Sequence, residues 1–156
     1  MPINPIPDAY RTPTPYLIVN NAAKAIAFYT AAFDAVELVR LADPSGKVMH
    51  AEIRIGGAPL MLADEFPELD FRGPQSTSGS AVSILLYVAD MDAQFAKAIA
   101  AGAQVTMPLQ DHFDGDRRGT LTDPFGHRWL LASKQEEVSL AEMQRRFAAM
   151  MKSGST

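Results

Sequence analysis

The chain has 156 residues, of which 47% are hydrophobic, a size that suits one compact domain or two small modules sharing a core. Its 14 basic and 18 acidic side chains are mixed along the sequence and leave a net charge of −4, so no basic surface is predicted for a nucleic-acid backbone. No apolar run is long enough to span a membrane, and the absence of cysteine excludes disulfides and thiolate ligands. We expect a cytoplasmic protein that binds neither nucleic acid nor membranes.

The first part of the chain predicts an extended arm and then one β-α-β-β-β module. Five prolines within residues 1–15 favour an extended N-terminal arm on the surface. The module occupies residues 16–64: a strand over YLIVN is followed by a helix over 22–33, which has Asn20 or Asn21 as its cap. Three further strands are predicted over residues 35–40, 47–55 and 58–64.

The same order of elements restarts after a polar linker loop, residues 65–80. The second module, 81–133, begins with a strand over 81–88 and a helix over 90–102 whose Phe95 and Ile99 are predicted to face inward. Its remaining strands are predicted over residues 103–110, 117–123 and 127–133.

The tail, residues 134–156, predicts an amphipathic helix. Ser139 and Glu142 form a capping-box pattern, and apolar side chains recur on one face of the helix that follows. Two roles remain open for this helix: packing on its own domain, or contacting a second subunit.

Three stretches resemble the glyoxalase/bleomycin-resistance/dioxygenase superfamily, also called vicinal oxygen chelate. They are IAFYTAAFDAVE, HAEIRIGGAPLMLAD and GTLTDPFGHRWLLAS. Together with GDRRG at 115–119, they are most similar to the PhnB-like branch. The resemblance implies an α+β fold in which two tandem βαβββ modules form an open, half-closed barrel around a cavity, with the C-terminal amphipathic helix added. It also implies a homodimer.

Metal-dependent relatives use four ligand positions, which map by motif onto Thr14, Glu52, Ser83 and Leu130. Only Glu52 is a ligand of the expected kind, because leucine offers no lone pair and the two hydroxyls are weak ligands. We therefore predict neither the standard metal site nor another cofactor. A divalent metal bound in a non-standard way stays an alternative.

The strand KVMHAEIRI carries the best candidates for chemistry. Its alternation places His50, Glu52 and Arg54 on one face. The residues alone fit a solvated strand equally well, but the resemblance implies that this face lines the cavity. His50 and Glu52 are then the candidate catalytic acid and base, and Arg54 a candidate binder of anionic substrate groups.

Other candidates for substrate binding come from several parts of the chain: Tyr16, Met61, Ser83, Tyr87, Phe113, Asp116 and Arg117. Core packing is the alternative for the two tyrosines, and a charged hairpin loop with internal ion pairs is the alternative for the last three residues. His127 is predicted to be a hydrogen-bonding residue at a strand end, and Trp129 to face the helix side.

Three functions are consistent with these features. The first is metal-independent binding of a small organic molecule in the cavity. The second is an enzyme of the glyoxalase, isomerase or dioxygenase type that uses His50 and Glu52, as an acid-base pair or with a non-standard metal. The third is a structural or partner-binding dimer. The sequence leaves open whether one chain or two form each site.

Overall fold

The computed structural model describes residues 3–154, and it has the predicted α+β architecture. Three α-helices and eight strands follow one another within this range. In chain order they are β1 (Tyr16–Val19), α1 (Ala22–Phe33), β2 (Val36–Ala42), β3 (Val48–Ile55), β4 (Ala58–Asp64), β5 (Ser83–Tyr87), α2 (Met91–Ala100), β6 (Gln104–Asp111), β7 (Asp116–Thr122), β8 (Arg128–Lys134) and α3 (Leu140–Lys152).

The strands form two four-stranded sheets with the same internal order. The first sheet runs β1-β4-β3-β2 and the second β5-β8-β7-β6. In each sheet the first strand pairs in parallel with the last strand of its module, and the remaining pairs are antiparallel. The two tandem βαβββ modules predicted from the resemblance are therefore confirmed.

Each helix begins at a side chain that accepts a hydrogen bond from the first turn. Asn21, not Asn20, caps α1 by accepting from the backbone N–H of Lys24, and Ser139 caps α3. In α2 the buried face contains Met91, Phe95 and Ala98. The prediction that Ile99 faces inward was wrong: Ala98, seven residues after Met91, faces the core, and Ile99 is 42% exposed.

One core lies on the helix side of both sheets and joins the two modules. The helices α1 and α2 pack against each other. Aromatic rings of α1 reach into the second module, where Phe33 and Trp129 have ring centroids 4.5 Å apart. Trp129 is 1% exposed, which confirms that it faces the helix side.

Asp123 holds this junction together from inside the core. Its Oδ2 accepts hydrogen bonds from the hydroxyl of Tyr29 at 2.6 Å and from the indole N–H of Trp129 at 2.9 Å. Its Oδ1 accepts the backbone N–H groups of Phe125 and His127, both at 2.9 Å. The carboxylate is buried, and its four donors replace the water it has lost.

The modules are also joined at the surface near this turn. The Nε2 of His127 lies 3.0 Å from the carbonyl oxygen of Ile18, and because a carbonyl only accepts, Nε2 carries the proton. This confirms the prediction of a hydrogen-bonding strand end. Gln75 of the linker bonds Asn20 in the first module and the carbonyl of Pro124 in the second.

The opposite face of each sheet is open. In β3, Ala51, Ile53 and Ile55 are buried, whereas His50 and Glu52 are half-buried and Arg54 is exposed. In β5, exposed Ser83, Leu85 and Tyr87 alternate with half-buried neighbours. Two sheets that share a helix side and expose their other faces form the open, half-closed barrel that was predicted.

The segments outside the modules have limited regular structure. The N-terminal arm contains a short 3-10 turn at Asp8–Tyr10, and residues 1 and 2 of the predicted arm lie outside the described residues. The linker contains two more such turns, Pro67–Leu69 and Pro74–Ser76. The helix α3 has no buried residue, and Phe147 contacts Phe113 with ring centroids 5.4 Å apart. No helix within residues 3–154 has the length and apolar character needed to cross a membrane.

Asp123→Ala is expected to lower the free energy of unfolding by about 3 kcal/mol, because it leaves three buried donors and one part-buried donor without an acceptor. Asp43→Ala is the matched control. Asp43 occupies the equivalent place in the other Asp-Pro-x-Gly turn but accepts only local bonds from Ser45, Gly46 and Lys47. Its replacement should cost less than about 1 kcal/mol in the same urea titration. Equal losses in the two variants would contradict the role assigned to Asp123.

Candidate functional site

A hydrogen-bond network of four side chains, Tyr10, Glu52, His50 and Tyr16, lies on the open face of the first sheet. The Tyr10 hydroxyl donates to Oε2 of Glu52 at 2.5 Å. The other carboxylate oxygen, Oε1, is 3.2 Å from Nε2 of His50, and Nδ1 of the same ring is 2.9 Å from the Tyr16 hydroxyl. The structure thus brings together three residues predicted from the sequence and adds Tyr10.

The donors and acceptors of this hydrogen-bond network indicate which of its atoms carry protons. An ionised Glu52 can only accept, so Nε2 of His50 carries a proton. In the neutral imidazole form, Nδ1 then accepts from Tyr16. The hydrogen bond from Tyr10, and after it the one from His50, holds the pKa of Glu52 below its ordinary value. The same bond to Glu52 raises the pKa of Tyr10, and partial burial raises that of Tyr16. Both tyrosines therefore keep their phenolic protons at neutral pH.

Strand register determines which side chains lie next to this hydrogen-bond network. Met61 pairs with Tyr16 on one side and with Glu52 on the other, so its side chain lies on the same face between them. Arg54 is two residues beyond Glu52 on that face and has no ion pair among residues 3–154. The predicted group on the first sheet is therefore one continuous surface.

A cavity of about 630 Å³ lies where the open faces of the two sheets meet. Its walls come from the end of the N-terminal arm, β1, the start of β5 and the start of β8. Tyr16, Ser83, Leu85 and Arg128 are its most informative residues. Because the Tyr16 hydroxyl is also hydrogen-bonded to His50, Tyr16 connects the cavity to the hydrogen-bond network on the first sheet.

A second polar cluster lies farther along the second sheet. The Tyr87 hydroxyl donates to Oδ2 of Asp116 at 2.5 Å, and this bond raises the pKa of Tyr87. Asp116 is buried, and among residues 3–154 its Oδ1 accepts no hydrogen bond. The Nζ of Lys134 lies 3.5 Å from that oxygen. Arg118 forms an ion pair with Asp114, and its Nη1 lies 3.4 Å from Oδ2 of Asp116. Tyr87 and Asp116 are thus together, in a cluster separate from His50 and Glu52.

Two predicted residues lie away from both clusters. Phe113 packs against the C-terminal helix, where its carbonyl oxygen accepts from Arg146. Arg117 faces α2 and forms ion pairs with Asp92 and Asp111, on the opposite face of the sheet from Tyr87. The internal ion pairs of this hairpin match the alternative considered for it.

The residues present do not fit the metal site implied by the resemblance. Within the described part of the chain, no three His, Cys, Asp or Glu residues are grouped so as to hold an ion. The second-sheet positions are Ser83 and Leu130, which pair with Arg128 and Leu85. A leucine side chain and a neighbouring guanidinium would oppose a divalent cation, and Glu52 already accepts two hydrogen bonds.

Comparisons with known proteins agree with this fold. The Glyoxalase/Bleomycin resistance protein/Dioxygenase superfamily matches the chain over residues 11–131. The chain belongs to this superfamily. An uncharacterized protein of Mycobacterium bovis is 46% identical to it over 144 residues, which cover 90% of this chain and 93% of that protein.

Solved structures from the superfamily align over most of the chain. A protein of Pseudomonas aeruginosa gives a TM-score of 0.65 at 28% identity, covering 80% of this chain and 98% of that one. The PhnB protein from Bacillus cereus gives 0.64 at 23% identity, with coverage of 79% and 99%. The family resemblance inferred from the sequence is confirmed.

Sequence reasoning missed Tyr10 and Arg128. Nothing in the proline-rich arm indicates that Tyr10 contacts a residue 42 positions later. The signal for Arg128 was present, because alternation in β8 places it on the same face as Leu130. What the pattern could not show is that Arg128 lies beside a cavity and has no ion-pair partner in the described part of the chain.

Tyr10→Phe is expected to raise the pKa of Glu52 toward its ordinary value, because the largest contribution that lowers it is the Tyr10 hydrogen bond. A depressed carboxylate pKa stabilises the fold above the unfolded-state pKa, and that contribution is lost as the pH falls through the folded-state value. The variant should therefore protonate Glu52 at a higher pH than the wild type. A carbon-detected NMR titration of the Glu52 carboxyl measures this directly.

Tyr87→Phe serves as the control, because it removes a hydroxyl from Asp116 on the other sheet. It should leave the titration of Glu52 unchanged. An unmoved Glu52 titration in Tyr10→Phe would show that the arm does not act on this carboxylate in solution.

Proposed function

We propose that this protein binds a small organic molecule on the open side of its sheets, without the superfamily's standard metal site. The observation that carries this proposal is the cavity at the junction of the modules, which is of the size of ordinary ligand sites. Its walls are mostly apolar, and a few polar groups converge on it, an arrangement typical of sites for small organic ligands.

The aromatic ring of Tyr16 and the side chain of Leu85 supply the apolar contact. They are 48% and 52% exposed, so both have surface left to cover. Hydrogen bonding to His50 holds Tyr16 in place, which lowers the entropy cost of ordering its ring around a ligand. In this role, the hydrogen-bond network through His50 and Glu52 mainly holds Tyr16 in position in the cavity wall.

A second candidate function is an enzyme of the glyoxalase, isomerase or dioxygenase type. The pairing of His50 with an ionised Glu52 favours it, since a carboxylate stabilises the imidazolium that forms when His50 accepts a proton. Tyr16 links this pair to the cavity and would hydrogen-bond a substrate group there.

A homodimer is part of the proposal. The outer strand β2 has no buried residue, and it exposes Val36, Leu38 and Leu41. A second copy of the chain would cover this apolar surface and close the open side of the half-barrel. The oligomeric state in solution, from sedimentation velocity, decides this point.

The binding role is tested with the neutral fluorescent probe N-phenylnaphthylamine. Leu85→Gln should weaken its binding about fivefold, because the change removes apolar contact at the cavity wall. Leu69→Gln is the matched control: it changes a leucine of similar exposure, 63%, in the linker, and should leave the affinity unchanged. Equal affinities for Leu85→Gln and the wild type would place the site elsewhere.

The enzymatic role is tested by turnover of carbonyl, thiol-adduct and diol substrates. Any activity found should fall about a hundredfold in His50→Gln and in Glu52→Gln, as expected for loss of an acid-base pair. His112→Gln, in the loop after β6, is the control and should keep full activity. Stoichiometric divalent metal in protein purified without chelator would contradict the metal-free binding role and favour the enzyme.

A further inference from the structure

We propose that Arg128 and Ser83 form an anion-binding subsite in the cavity, so that the ligand is an organic anion with an apolar body. This inference rests on the proposed binding function and names the class of ligand. Arg128 lines both the junction cavity and a smaller neighbouring one that contains Thr120 and Leu130.

The first argument is the lack of a partner for Arg128. Every other arginine except Arg54 is paired with a carboxylate. Among residues 3–154, no carboxylate lines either cavity that contains Arg128. In a chain of net charge −4 this wall carries a permanent positive charge with no anion beside it. A guanidinium in that position is suited to a carboxylate, sulfonate or phosphonate, which it binds with two parallel hydrogen bonds.

The second argument is register. Ser83 pairs directly with Arg128 across the parallel strands β5 and β8, so their side chains are neighbours on the open face. The Ser83 hydroxyl donates no hydrogen bond to another described residue and is available to the same anion. The guanidinium of Arg128 beside the hydroxyl of Ser83 would recognise an anionic group by hydrogen-bond geometry as well as by charge.

The third argument is the apolar surface next to this pair. The following pair on the same face is Leu85 with Leu130, and Tyr16 lies across the cavity. An anionic group at Arg128 therefore places the rest of the ligand on two leucines and an aromatic ring. The site would select amphipathic organic anions over inorganic ones, because an inorganic ion gains nothing from the apolar wall.

The experiment uses two probes that share one ring system: anilinonaphthalene sulfonate, which is an anion, and N-phenylnaphthylamine, which is neutral. Arg128→Gln should weaken binding of the sulfonate about tenfold and change binding of the neutral probe less than about twofold, because only the sulfonate uses the charge. Arg72→Gln is the control, because Arg72 lies in the linker and lines neither cavity; it should leave both affinities unchanged. Thermal melting of each variant verifies that it is folded.

The outcomes separate this inference from the proposed function. If both probes lose affinity in Leu85→Gln but the sulfonate keeps it in Arg128→Gln, the cavity binds ligands and the anion subsite is overturned. If Arg128→Gln weakens both probes equally, Arg128 is structural and the subsite is again overturned. If Leu85→Gln affects neither probe, the cavity is not the site and the proposed function fails as well. Loss of sulfonate binding alone in Arg128→Gln, with both affinities unchanged in Arg72→Gln, supports the subsite.

Discussion

The buried carboxylate of Asp123 is the interaction on which the arrangement of the two modules depends. It ties the turn before β8 to the helix of the other module through Tyr29, and it orients Trp129 within the shared core. Desolvation, and after it the charge of Asp123, raises the pKa of Tyr29 far above its ordinary value, so this hydroxyl keeps its proton. The start of β8, with His127 and Arg128, is therefore fixed relative to β1. The cavity exists because these two strands are held at a set distance.

Local patterns in the sequence predict most of the fold. The helix over residues 22–33 was predicted with its observed bounds, and the strands agree within about two residues, because periodicity and turn residues act locally. Ile99 shows the limit of that reasoning: spacing defines a face, but the sheet decides how far the face is rotated into the core.

The candidate site was predictable only where one strand carries it. Alternation in β3 placed His50 and Glu52 on the same face, and their side chains are in contact. Contacts between distant segments have no such signal. Tyr10 reaches Glu52 from an arm without periodicity, and Phe113 is covered by a helix that begins after the second module. Tyr87 and Tyr16 were both predicted to bind substrate in one cavity, but the structure places them in different clusters.

In the proposed function, the two open faces supply a binding surface although only Glu52 of the ligand set implied by the resemblance is a carboxylate or imidazole. Leu130 adds apolar surface at a position where the resemblance implies a metal ligand. Arg128 is two residues earlier on the same face, with its Cα about 7 Å from that of Leu130, and carries a positive charge. A guanidinium needs no set of ligands and stays charged throughout the physiological pH range. It attracts an anion without polarising a bond as a metal ion does. The proposed function therefore favours binding over metal-assisted chemistry, and in the alternative proposal catalysis would depend on the pair His50 and Glu52.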